Sequence, residues 1–111
     1  MASRGWIVHG TTGEYSDRKV WAIAVYRRAV SAQEHVENAT AVAHAHKVGY
    51  SETAGWEERD AFVEKMRVSI ELRALMVGKL EIEDYFTIDY NGMRFWLEEV
   101  EIREAAPSWE G

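Results

Sequence analysis

"YFTIDYNGMRFWLEEVEI", residues 85–102, is the stretch whose reading decides the fold. Asn91-Gly92 sits between two alternating runs, the usual mark of a two-residue hairpin turn in which both turn positions take positive φ. Pairing outward puts Tyr90 opposite Met93, Ile88 opposite Phe95 and Phe86 opposite Leu97 on one apolar face. Asp89 then meets Arg94 and Thr87 meets Trp96 on the other. An opposite-charge pair across the strands fits that register. Beyond Leu97 the apolar phase moves to Val100 and Ile102, which predicts either a bulge near Glu98–Glu99 or a change in what covers each face.

Working back from the hairpin, "GWIVHG" (5–10) and "KVWAIAVY" (19–26) read as two further strands. The second is apolar on both phases, with Trp21, Ile23 and Val25 on one face and Val20, Ala22, Ala24 and Tyr26 on the other. Such a strand is central, or covered on one face and adhesive on the other. Between the strand pairs lie two helical patterns. Ser31 and Glu34 fit a capping box. Ala32, Val36, Ala39 and Ala43 recur at helical spacing, and Gly49 fits a left-handed stop. Thr53 is placed to cap a helix from about Trp56 to Val77, with Phe62, Met66, Ile70 and Ala74 as its apolar stripe. Gly78 suits its end. The predicted fold is α+β, with element order ββααββ and an antiparallel sheet carrying two helices on one face. One domain spans 1–111, with 105–111 as a flexible tail.

Composition narrows the function. No cysteine occurs, so disulfides and thiolate metal sites are excluded and a reducing cytosol, that of a bacterial host, is the expected setting. No apolar run is long enough for a membrane helix, and the N-terminus lacks the pattern of a signal peptide. Net charge is −6 and lopsided. Residues 1–50 carry six Lys/Arg and four Asp/Glu, a net of +2, while 51–111 carry seven and fifteen, a net of −8. That balance argues against direct nucleic-acid binding, and it serves solubility alone or favours a partner with a basic surface.

The loop "HGTTGEYSDRKV" (9–20) offers Tyr15, Ser16, Asp17 and Arg18. Ser16 as a nucleophile needs a base, for which His9 is the neighbour in sequence, and no oxyanion signature accompanies them. The loop lacks the lysine of a phosphate cradle. It reads as a turn with Gly13 at positive φ, with Tyr15 and Asp17 kept as binding candidates. His44 and His46 are spaced i, i+2 and point apart, which predicts no metal site; with His35 they read as surface or boundary residues, His46 edging the core. Glu98, Glu99 and Glu101 form a charged rim beside Trp96, and Trp96 and Trp21 are expected to be partly exposed or covered by a partner. No catalytic residue and no cofactor is assigned.

The segment "WIVHGTTGEYSDRKVWAIAVY", with the following "AQEHV" and the terminal "FWLEEVEI", resembles a family of small phage and prophage proteins of unestablished activity. The likeness rests mainly on Gly13 to Asp17 and covers about 20 residues at the front and eight at the back. The second helix is not part of the family's usual short form. In size, acidity and lack of cysteine the chain is also similar to anti-CRISPR proteins. Composition and resemblance together lead to a non-enzymatic interaction module that binds and inhibits a host complex such as a CRISPR or other defence system. Tyr15, Asp17, Trp96, Glu98, Glu99 and Glu101 are its expected binding residues. A small ligand-binding or enzymatic domain centred on Tyr15–Asp17 is the alternative, and a structural homo-oligomer, such as a homodimer through an open sheet face, is a third.

Overall fold

The computed structural model describes residues 3–14, 16–49 and 55–109. The elements run β1 (Ser3–Thr12), β2 (Lys19–Tyr26), α1 (Ala29–Ala45), α2 (Trp56–Val68), α3 (Ile70–Met76) and β3 (Arg94–Ile102). The α+β class holds, but the order is ββαααβ rather than ββααββ. The sheet is antiparallel with strand order β2-β1-β3.

The expected C-terminal hairpin does not form. β3 pairs with β1 from Thr11↔Arg94 through Ser3↔Ile102 without interruption, so no bulge occurs at Glu98–Glu99. The segment before β3 wraps into the core instead. Phe86, Ile88 and Met93 are buried there, the Asp89 amide donates to Thr12 Oγ1 at 2.9 Å, and the Met93 amide to the Val48 carbonyl at 2.6 Å. A turn does sit at Asn91-Gly92, closed by Gly92 N–H donating to Asp89 O. Only Gly92 takes positive φ, +75°, and a Cβ there would lie 2.2 Å from Val48 O. Alternating apolar residues describe a core-lining segment as well as a strand. The long pairing with β1 outcompetes the short local arm.

The helices also break differently. Ser69 is extended (φ −104°, ψ 114°) and accepts the Leu72 amide on its hydroxyl, so the single predicted helix becomes α2 and α3. Arg73 closes the break by donating to the carbonyls of Met66 and Arg67. Arg28 takes the N-cap position of α1, without a side-chain cap, so the Ser31 box is not used. Its left-handed stop falls on Lys47 (φ 60°) rather than Gly49, with the amides of Val48 and Gly49 both donating to Ala43 O. Gly78 (φ +63°) ends α3 as expected. The cap assigned to Thr53 lies outside the described residues.

α1 lies against all three strands, α3 against β2 and α1, and α2 against α3. The core gathers Trp21, Ala39, Ala43, Phe62, Met66, Met76, Phe86 and Ile88. One residue sets the phase of the sheet. The β1–β2 register jumps between Val8↔Ala24 and His9↔Ala22, leaving Ile23 as an extra residue. Without the jump, Trp21 and Val25 would share a face, as the sequence suggests. With it, Trp21 turns inward and Val25 outward. Trp21 is 5% exposed and donates its indole N–H to Met76 O at 2.9 Å. The expectation of an exposed Trp21 is therefore overturned. Gly10 permits this packing, since a Cβ there would sit 2.6 Å from the Trp21 indole nitrogen.

Candidate functional site

The outer face of the sheet is built from the positions that alternate with Val8, Trp21 and Phe95. The registers arrange it in rows across the strands: Val20–Thr11–Arg94, then Ala22–His9–Trp96, then Val25–Ile7–Glu98. Val20 and Val25 are 50% and 62% exposed, and Ala22 is exposed too. Trp96 is half-buried because it stacks on His9, with ring centroids 5.2 Å apart and planes 21° from parallel. His9 Nε2 lies 3.2 Å from a Glu98 carboxylate oxygen. Arg94 anchors the edge of this face by donating to Gly13 O at 2.7 Å. Thr11 is buried, its hydroxyl donating to Lys19 O.

The expected charged rim does not lie on one side. Glu98 joins the outer face. Glu99 and Glu101 have the opposite strand phase. Glu99 pairs with Arg4 at 2.5 Å, and that hydrogen bond, followed by the carboxylate's charge, holds the Arg4 pKa above its ordinary value. Glu101 meets Arg103 at 3.3 Å. All three acids are solvent-exposed, so these pairs add little stability. They hold the carboxylates in place along the end of β3.

Gly13 takes φ +90° in the β1–β2 connection, as the turn reading requires. Asp17 is exposed in that turn and already engaged in an interaction. Tyr15 lies outside the described residues. Gly13, Glu14, Arg18 and Arg94 line a recess of about 260 Å³ at this end of the sheet. His9 does not serve Ser16. It stands mid-strand under Trp96, three residue pairs and about 10 Å along the strand from the Thr12–Lys19 pair where the turn begins. Tyr90 donates to Glu14 at 3.3 Å on the flank of this turn. The Glu14 charge, with burial second, raises the Tyr90 phenol pKa above its usual value of 10.0.

The histidines divide. His46 edges the core against Phe62, as expected, with ring centroids 5.1 Å apart. His35 is not at the surface. It is 8% exposed and links three elements, its Nε2 2.8 Å from Leu75 O and its Nδ1 2.7 Å from the Tyr26 hydroxyl. A carbonyl only accepts, so Nε2 carries the proton, and in the neutral ring Nδ1 accepts from Tyr26. An open recess of about 430 Å³ lies beside them, with Glu34, Asn38 and Glu71 on its wall. Among the described residues no group of three His, Asp or Glu is placed to hold a metal ion, and no helix is long and apolar enough to cross a membrane.

Sequence reasoning placed Trp96 and Glu98 on a binding surface but missed Ile7, His9, Val20 and Val25 beside them. Register carries that information. The inserted Ile23 and the β1–β3 pairing together assemble the rows, and neither has a local signature in the chain. No protein-family model, curated protein or solved structure matches the chain. The fold and this face therefore define the class on their own: a small α+β domain with a three-stranded antiparallel sheet whose outer face exposes Val20, Ala22 and Val25 beside Trp96.

Proposed function

We propose that the chain is a non-enzymatic protein-binding module that uses the outer sheet face around Trp96, Val20 and Val25. The observation that carries this reading is the exposure of two valines and an alanine beside a Trp stacked on His9. Apolar side chains exposed together on a sheet mark an interaction surface, and a Trp at the centre is the residue type that anchors such contacts. Glu98 on the face, with Glu99 and Glu101 along the same strand, would steer the domain toward a basic partner surface. Asp17, at the opposite end of the sheet, remains a candidate, as does Tyr15 on the reading of the sequence. The resemblance of the Gly13–Asp17 segment to phage proteins, together with the acidic composition, supports a phage-encoded inhibitor of a host complex such as a CRISPR or other defence system, acting in the bacterial cytoplasm.

The test is phage plating on strains that each carry one active defence system. Expression of the wild-type chain is expected to restore plating on at least one strain. Val25→Glu, which puts a charge on the most exposed apolar residue of the face without touching the core, is expected to abolish the restoration. Equal plating with and without the chain on every strain would remove the inhibitor reading. Equal activity of Val25→Glu and wild type would remove the outer face as its binding surface.

A further inference from the structure

The outer face is complementary to itself. Its middle row is Ala22–His9–Trp96, and the rows to either side match in character about that line. Consider a twofold axis lying in the plane of contact, perpendicular to the strands and running along the middle row. It brings a second copy face to face with its strands reversed. Val20 of one copy then meets Val25 of the other and Arg94 meets Glu98, while Thr11, buried within its own chain, lies beneath the contact. The exposed valines cover each other, and opposite charges meet at both ends of the contact. A chain of net charge −6 would ordinarily repel its own copy. On this face Arg94 and Glu98 offset each other, and no other Lys, Arg, Asp or Glu stands in the three rows.

From this we infer that the outer face is closed by a second copy of the chain, forming a symmetric dimer about the Ala22–His9–Trp96 row. The inference rests on the reading of this face as a binding surface and names its resting partner. The contact is small. The overlap about the middle row reaches three residues to either side of His9, so strand rise and strand spacing give a footprint of about 20 Å by about 14 Å, roughly 280 Å² for each copy. That is well below the size of a stable specific interface, so the dimer is weak and exchanging. A host partner with better complementarity displaces the second copy, which makes dimer opening the step that exposes the binding surface.

Sedimentation velocity on the full chain, from low to high micromolar concentration, tests this. The wild type is expected to pass from monomer to dimer across the series, and Val25→Glu to remain monomeric. Arg94→Glu and Glu98→Arg each place like charges together at both ends of the contact, and each is expected to weaken association by about tenfold or more. The double variant Arg94→Glu/Glu98→Arg restores opposite charges and is expected to recover most of that loss. Arg94→Glu also loses the bond to Gly13 O, but so does the double variant. Recovery therefore isolates the contact between copies, and circular dichroism confirms that each variant is folded. A wild type that stays monomeric throughout would overturn the dimer, as would a double variant no better than the single ones. In either case, plating activity that is sensitive to Val25→Glu would leave the protein-binding reading standing.

Discussion

The two faces of the same three strands obey different rules. The inner face is closed by shape. Trp21 lies across Gly10, its indole N–H is satisfied by Met76 O, and Val8 beside it is fully buried. The outer face is covered only in part within the described chain, by the stack of Trp96 on His9 and at one end where Thr11 is buried and Arg94 reaches Gly13 O, and it leaves Val20 and Val25 exposed. Both faces carry apolar residues, the outer one interleaved with Thr11, His9, Arg94 and Glu98. What separates them is the register jump at Val8/His9, which sends Trp21 inward and Val25 outward. The lesson is that one inserted residue divides an apolar strand between stability and binding. Substitutions on the inner face should cost folding free energy, and those on the outer face should cost association.

The largest expected effect is on the inner face. Trp21→Ala removes a buried aromatic and leaves Met76 O without its donor, and should destabilise the fold by about 3–5 kcal/mol. Urea unfolding followed by circular dichroism measures this; a loss below about 1 kcal/mol would break the contrast between the faces. Next comes the bolt at the end of β2. Tyr26→Phe leaves His35 Nδ1 buried without its hydroxyl partner and should cost about 1–3 kcal/mol in the same experiment. An unchanged midpoint would mean that the bridge between β2, α1 and α3 carries no stability.

On the outer face, Val25→Glu should change stability by less than about 0.5 kcal/mol, because Val25 is 62% exposed, while removing association. A large stability loss would show that the face is structural. The smallest effect belongs to the turn. Glu14→Gln removes the charge that chiefly disfavours the Tyr90 phenolate, so the Tyr90 pKa should fall toward its ordinary value. The sign follows from the direction of the shift. A phenol held above its unfolded pKa favours the fold at pH below that unfolded value, and the contribution is lost as pH rises through the folded value. NMR titration of the tyrosine rings at alkaline pH reads this directly, and an unmoved Tyr90 would detach it from Glu14.

How much of this was legible in the sequence follows the range of the forces involved. The strands at β1 and β2, the helical pattern of α1, the turn at Gly13 and the stop at Gly78 depend on neighbours in sequence, and they can be read there. The partner of β3 cannot. The segment from Tyr85 to Ile102 carries a consistent hairpin pattern, yet β1 offers β3 a longer pairing, and Phe86 and Ile88 find a better place in the core. The same holds for the candidate site. Trp96 was marked by its strand phase, whereas Val20, Val25 and His9 join it only through a bulge and a non-local register. Trp21 misled for the same reason, and His35 became a buried bridge only because Tyr26 and Leu75 arrive from distant parts of the chain.

The most direct test of the outer face as the binding surface uses the absence of native cysteine. Val20→Cys and Val25→Cys chains are mixed at high concentration and joined with a thiol-reactive crosslinker that spans the spacing of about 10 Å between packed sheets. Crosslinking of Val20→Cys to Val25→Cys is expected to exceed that of either chain with itself. Val68→Cys, on the exposed side of α2 at 82% exposure, is expected to give only background. Equal yields from all three positions, or a preference of Val20→Cys for itself, would contradict the account.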